Sequence, residues 1–248
     1  YLTRCEVGIL NEHARDIAAL IPPGAALIEF GSGSSAKTRI VLSVANTLAA
    51  YVPVDISSEF LHQQVQGLRL EYPKVAMLPV AADFSKSFDL PQAVEKLPRA
   101  GFFPGSTIGN LEPHEAAAFL RHASRILGGG STFIVGVDLV KDLARLEAAY
   151  NDAQGVTAEF NRNALRVVNA RFAADFQVDA FEHRAFFDLD QQWIEMRLRV
   201  IRPTRVHVGA IDLDLTFQVG DEIRTEISCK FTRETFTQAA QRAGLDVR

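Results

Sequence analysis

Residues 26–37 read Ala26-Leu-Ile-Glu-Phe-Gly-Ser-Gly-Ser-Ser-Ala-Lys37, and this stretch decides the fold class. Ala26–Phe30 is a short strand-like run, and Gly31-Ser-Gly33-Ser-Ser35 lets the backbone turn. From Lys37 to Leu48, apolar residues then recur at helical spacing (Ile40, Val41, Val44, Leu48). Strand, glycine-rich turn and helix form the opening unit of a parallel sheet with crossover helices. The turn is also a natural ligand cradle. Glycines let backbone approach a ligand, and a helix N-terminus offers unpaired N–H groups.

Outward from this unit the same grammar repeats. A second strand, Ala50–Asp55, ends on an acid, and Ser57 or Ser58 is placed to cap a helix carrying Phe60, Leu61, Val65 and Leu68. Val75–Val80 reads as the third strand, Gly101–Gly105 as the fourth and Ser131–Val137 as the fifth. A helix over Pro113–Leu127, ended by Gly128-Gly-Gly130, joins the last two. After about residue 140 the pattern changes. Glu159–Phe176 reads as one long helix with Phe160, Leu165, Val168, Phe172 and Phe176 on one side. Trp193–Val200, Ala210–Phe217 and Glu222–Phe231 alternate apolar and polar residues, as antiparallel strands do. A last helix, Arg233–Ala243 with Gly244 as its C-cap, returns to the main sheet, and Leu245–Arg248 begins to look like a strand. The expected organisation is an α/β core over residues 1–140, an antiparallel cap over 141–231, and a return to the core over 232–248. The absence of Met at the start and the abrupt close suggest that both ends are trimmed.

With 248 residues, 48% hydrophobic content and 17 Phe, the chain can bury a large core. A net charge of −4, with Lys and Arg scattered, disfavours a nucleic-acid substrate. Only Cys5 and Cys229 occur, which argues against a disulfide scaffold or a metal cluster and fits a reducing cytoplasm. No apolar run approaches the roughly 20 residues of a membrane helix, so no membrane partner is expected.

The loop Gly31-Ser-Gly33 lacks the third glycine of a dinucleotide fingerprint and the Gly-Lys-Ser/Thr ending of a P-loop. A pyrophosphate ligand is therefore disfavoured. The ligand left for an acidic strand end and Gly-x-Gly is S-adenosylmethionine, which has no phosphate. Asp55, at the tip of the second strand, can accept both ribose hydroxyls. Asp83 can accept from the adenine amino group while Phe84 packs on the ring. Each acid alone would serve equally well as a helix cap. Past the fourth strand stands Pro104-Gly-Ser-Thr-Ile-Gly-Asn-Leu111. It carries neither the Asn/Asp-Pro-Pro-aromatic pattern of nucleic-acid amino methyltransferases nor the Pro-Cys of cytosine enzymes. Asn110 can hold an amine or a carboxylate, or simply form a turn.

The wider set of motifs is specific. Tyr1-Leu-Thr-Arg-Cys-Glu6, Glu29–Arg39, Gly105–Leu111, Asp138-Leu-Val-Lys-Asp142, Ala149-Tyr-Asn-Asp152, Gly155–Asn161 and Thr225-Glu-Ile-Ser-Cys-Lys-Phe231 resemble the histidine Nα-methyltransferases of ergothioneine biosynthesis over nearly the whole chain. The resemblance implies a Rossmann-like class I methyltransferase sheet with an antiparallel, β-rich substrate-binding cap. It implies that Gly31, Ser32, Gly33, Lys37, Asp55, Asp83 and Phe84 hold S-adenosylmethionine. Asn110 and Tyr150 would hold the amino and carboxylate end of L-histidine, Glu226 and Ser228 its imidazole, and Met196 would line the pocket. No metal is implied. In this family a stretch upstream of Tyr1, with an aromatic residue, and a strand beyond Arg248 complete the pattern. The expected enzyme is a cytoplasmic monomer acting on a small molecule. The alternatives are a methyltransferase of another amino acid or small amine, and an inactive cofactor-binding homologue.

Overall fold

In the computed structural model, which describes residues 2–33 and 35–248, Ala26–Phe30 form β1, buried along its whole length. Such burial is what a strand covered on both faces requires. Tyr1 and Ser34, the latter inside the glycine-rich turn, lie outside the described residues. β1 pairs in parallel with β2 (Ala50–Asp55) and β5 (Arg99–Phe103), and β5 pairs with β6 (Thr132–Val135). The third strand, expected over Val75–Val80, is cut into β3 (Ala76–Met77) and β4 (Val80–Ala81), both paired with β2. Pro79 falls in register with Pro53 of β2. Neither has an N–H to donate, so the ladder lapses there. The order β3/β4, β2, β1, β5, β6 is that of an open doubly wound sheet whose winding reverses between β1 and β5, the place where such sheets bind ligands.

Two compact units divide the chain: one comprises the residues up to Asp138 with Thr232–Arg248, the other Leu139–Phe231. The first holds this sheet with α1 (Leu2–Ala19), α2 (Ala36–Leu42), α3 (Ser58–Glu71), α4 (Pro113–Leu127) and α7 (Arg233–Arg242). α1 was not among the expected elements; it buries Leu10 and Ala14 and packs on α2. α2 is shorter than Lys37–Leu48. Ser43 bonds back to the Ile40 carbonyl at 2.8 Å, and the chain to Leu48 continues in turns, the competition expected where Ser, Asn and Thr cluster. β5 ends at Phe103 rather than Gly105 because Pro104 cannot donate. Ser57 caps nothing with its side chain; instead its N–H donates to Asp55 Oδ1 at 2.9 Å. Gly244, at φ +77°, ends α7, and Leu245 N bonds back to Ala240 O rather than starting a strand. Gly101 in β5 admits close packing, for a Cβ there would lie 2.5 Å from the Phe133 ring and 2.7 Å from Leu127.

The second unit is antiparallel. Strands β7 (Phe181–Asp188), β8 (Trp193–Val200) and β11 (Glu222–Cys229) form a sheet in the order β11, β8, β7, and β9 (Thr204–Val208) pairs with β10 (Leu213–Phe217). The strand expected over Ala210–Phe217 starts at Leu213 because Gly209–Ile211 form a 3-10 turn. One face of the three-stranded sheet is covered by α5 (Leu143–Tyr150) and α6 (Val156–Phe172). α6 begins at Val156 rather than Glu159, because Asp152 accepts from the N–H groups of Val156 and Thr157 at 2.9 and 2.8 Å. These bonds hold its carboxyl down at about 2. α6 ends at a left-handed Ala173, so Phe176 lies beyond it. Phe160 and Phe172 are exposed, and Asn161 and Leu165 form the buried stripe.

Candidate active site

In the first unit, the N–H groups of Gly31 and Ser32 both donate to Val54 O, at 2.9 and 3.0 Å. Gly31 sits at φ +69°, and a Cβ there would lie 3.1 Å from the ring of Phe84. Only glycine suits that position, and the bare backbone it leaves fits a ligand approached by main chain. Phe84 is braced edge-on by Phe103 and Phe119 at 5.5 and 5.7 Å. Gly33 is exposed.

Beneath the loop lies a buried polar cluster that had not been singled out. Glu29, 2% exposed, accepts from Thr38 Oγ1 at 2.7 Å and from the Tyr51 hydroxyl, which also pairs with Ser32 Oγ at 3.1 Å. Burial pushes the Glu29 carboxyl up to about 7, against the opposing pull of the Tyr51 and Thr38 hydrogen bonds and the Lys37 charge. The Tyr51 hydroxyl is likewise raised, by burial and then by Glu29. This cluster ties the strand end, the loop and α2 together from below.

Lys37, in the first turn of α2, pairs with Glu6 of α1, whose other oxygen accepts from Gly105 N at 2.6 Å. Asp55 stands at the tip of β2. Asp83 accepts from both the N–H and hydroxyl of Ser85, at 3.0 and 2.6 Å, and pairs with Lys86 at 3.1 Å. The Ser85 and Lys86 contacts hold its carboxyl below the usual range. Each acid thus has a local turn-stabilising role, compatible with its remaining lone pairs meeting a ligand. Asn110 is exposed and closes a 3-10 turn, Thr107–Asn110. That turn follows two left-handed residues, Gly105 at φ +92° and Ser106 at φ +55°. Ser106 is buried, and its hydroxyl accepts from Asp138 N at 2.8 Å. Backbone strain in a non-glycine residue persists only where its surroundings hold it, commonly at functional loops.

In the second unit, β11 carries a bulge. Glu222 to Arg224 oppose Arg199 to Arg197 of β8, but Glu226 opposes Met196 and Ser228 opposes Ile194, with the register shifting between Arg224 and Glu226. A one-residue slip turns every later side chain to the other face. Glu222 therefore joins Arg197 and Arg184, at 2.6 and 2.9 Å, on one face. Glu226 and Ser228 turn to the face of Met196, Ile194, Ala185 and Phe187, where Leu146 and Tyr150 of α5 pack. Tyr150 Oη donates to Ser228 Oγ at 2.8 Å. Met196 is 3% exposed. Glu226 is half-buried, and burial raises its carboxyl while the Lys230 charge opposes the rise. Of the expected substrate residues, four therefore share this one face: Tyr150, Met196, Glu226 and Ser228.

The sequence profile of a family described as histidine-specific methyltransferase, SAM-dependent, matches residues 1–248. The chain belongs to this family. The histidine N-alpha-methyltransferase of Mycolicibacterium smegmatis (strain ATCC 700084 / mc(2)155) is 42% identical over 252 residues, covering 99% of this chain and 76% of that protein. Its namesake from Mycobacterium tuberculosis (strain CDC 1551 / Oshkosh) is 40% identical with the same coverage. Ergothioneine biosynthesis protein 1 of Neurospora crassa is 30% identical over 265 residues, 99% of this chain but 28% of that protein. As a member of this family the chain is an S-adenosylmethionine-dependent methyltransferase. Two charged residues missed by the sequence reading, Glu29 and Lys230, stand inside motifs it quoted. A carboxylate at the end of an otherwise apolar strand and a lysine two residues past Ser228 were the available signals.

Proposed function

We propose that this chain transfers methyl groups from S-adenosylmethionine to the α-amino nitrogen of L-histidine, up to the trimethylated betaine hercynine, on the route to ergothioneine. The observation that carries histidine is the pairing of Glu226 and Ser228 on one face of β11, an acceptor beside a hydroxyl, under Tyr150. A neutral imidazole offers one N–H donor and one acceptor, which this pair matches. Met196, opposed to Glu226, supplies apolar contact for the ring.

When bound, S-adenosylmethionine supplies an electrophilic methyl on a sulfonium. Gly31 and Ser32 would admit it by main chain, Asp55 would take the ribose hydroxyls, Asp83 with Phe84 the adenine, and Lys37 its carboxylate. Asn110 would orient the amino and carboxylate end of histidine, as would Tyr150. The work of the protein is alignment and exclusion of water, because in-line displacement gains most from a well-aimed nitrogen lone pair. The amine must be unprotonated. A neighbouring positive charge lowers an amine's pKa below its reference of about 8, so its proton leaves to water and no dedicated base is required. As methyl groups accumulate the nitrogen becomes a fixed cation, which the ring of Tyr150 can face.

We read the enzyme as a cytoplasmic monomer on a small-molecule substrate, to be checked by sizing chromatography. The test of the activity is incubation with S-adenosylmethionine and a panel of amino acids, followed by mass spectrometry. Successive methyl additions on histidine are expected. Methylation of another amino acid in preference, or of none, would overturn the substrate.

A further inference from the structure

Lys230, the residue just past the end of β11, is 4% exposed, a nearly fully buried cation. Its Nζ donates to Ser228 Oγ at 2.8 Å and to Tyr150 Oη at 2.9 Å, and lies 4.8 Å from the centre of the Tyr150 ring. With the Tyr150–Ser228 bond of 2.8 Å these contacts close a triangle. An ammonium has three donors and no lone pair, so each of its bonds runs one way. Ser228 Oγ therefore receives two hydrogen bonds, one from Lys230 and one from Tyr150. Both of its acceptor positions are filled, and its own proton is left to be given outward.

This matters for the imidazole. A hydroxyl ordinarily rotates to donate or accept as its partner demands, and would then tolerate either tautomer or the imidazolium. Fixed as a donor, Ser228 requires a bare ring nitrogen. Glu226, an acceptor when ionised, requires the N–H on the other. Imidazolium has two N–H groups and would set one of them against the Ser228 proton, close to the Lys230 charge.

We propose that Lys230 is a specificity-determining positioning residue that locks Ser228 as a hydrogen-bond donor, so that the site takes neutral imidazole in one tautomer and rejects imidazolium. The inference rests on the reading of Glu226 and Ser228 as the imidazole partners. Titratable groups brought to this face are Glu226 on β11, Tyr150 and Glu147 on α5, and His183 on β7. Glu147 accepts from Phe187 N at 3.1 Å, and His183 Nε2 bonds to Tyr150 O at 2.8 Å. Both are thereby engaged with backbone.

The test is histidine affinity by calorimetry from pH 5.5 to 8.5 on the full chain, with Lys230→Met, Lys230→Gln, Ser228→Ala and the Lys230→Met/Ser228→Ala double variant. For the unaltered chain, affinity falls about tenfold per pH unit below the imidazole's own value of about 6.5. Lys230→Met should lose at least tenfold in affinity at pH 8 with S-adenosylmethionine affinity unchanged, and its decline below pH 6.5 should flatten. The double variant should bind histidine no worse than Ser228→Ala. An unchanged pH slope in Lys230→Met, or losses that multiply in the double variant, would overturn the proposal. Should circular dichroism show Lys230→Met unfolded, Ser228→Ala decides. With the fixed donor removed, its decline below pH 6.5 should flatten, whereas Lys230→Gln, whose amide can still donate to Ser228, should keep the slope; an unflattened slope in Ser228→Ala refutes the lock. Histidine turnover by the unaltered chain separates the two levels. Without it the substrate reading falls, and with it an indifferent Lys230 refutes only the lock on Ser228.

Discussion

Replacing Glu29 by Gln isolates the electrostatic cost stored beneath the glycine-rich loop. The folded carboxyl titrates at about 7 against 4.5 for an unperturbed glutamate, burial being the dominant cause. At about 1.4 kcal/mol per pH unit, ionising it in the folded chain costs about 3 kcal/mol of stability. A raised folded value gives a definite sign. The contribution is fully present below pH 4.5, is lost as pH rises through 7, and is constant above. Glutamine keeps a carbonyl oxygen for Thr38 and Tyr51 but adds an N–H donor that must find a partner. That fixed penalty, on the order of 1–3 kcal/mol, is the same at every pH. The difference between the two chains is thus the quantity to follow. Urea titrations by far-ultraviolet circular dichroism at intervals from pH 4 to 9 should show Glu29→Gln gaining about 3 kcal/mol on the unaltered chain between the extremes, with the change confined to the interval from about 4.5 to 7. Parallel stability profiles, or a gain centred near pH 4, would refute the account of a buried carboxyl protonated near neutrality.

Three further outcomes are expected. Glu226→Ala should weaken histidine binding by about 2–3 kcal/mol, since an imidazole N–H would be left unpaired, while S-adenosylmethionine affinity holds; calorimetry with each ligand checks both halves. Gly31→Ala combines a left-handed φ with a Cβ 3.1 Å from Phe84. It should lower the melting midpoint by an amount equivalent to about 1–2 kcal/mol and weaken S-adenosylmethionine binding, and equal affinity for both chains would count against the cradle. Arg197→Met removes the cation bonded to Glu195, which is 5% exposed, and to Glu222. A buried carboxylate left without its partner costs about 3 kcal/mol or more, and denaturant titration at neutral pH should register it.

Much of the fold was legible because the physics that makes it is local. Ala26–Phe30, Ala50–Asp55, Pro113–Leu127 and Trp193–Val200 have the lengths and periods that buried strands and amphipathic helices require, and they form at those bounds. Errors fell where a contact outside the segment set its end. Asp152 extends α6 to Val156, and Pro53 facing Pro79 splits the third strand. α1 carries a visible signal in Leu10, Ala14 and Ile17, yet those residues become core only by packing near α2.

The site was legible as residue types and not as faces. Glu222-Ile-Arg-Thr-Glu-Ile-Ser-Cys-Lys230 alternates polar and apolar residues with a single break at Thr225-Glu226. Period two carried straight through gives one polar face holding Glu222, Arg224, Glu226, Ser228 and Lys230 together. The bulge denies this. Before it, Glu222 is drawn to Arg184 and Arg197, with Phe186 lying 5.2 and 5.3 Å from their guanidinium carbons. After it, Thr225 Oγ1 bonds to Met196 O at 3.0 Å, and Glu226 comes opposite Met196 itself. One strand with an almost uniform pattern thus builds an ion-pair network on one side and, on the other, the face of Glu226 and Ser228 proposed to meet the imidazole. The choice between them depends on a single extra residue, whose placement is fixed by β8 and not by β11. Periodicity cannot report such a switch, because the energy that decides it belongs to the partner strand.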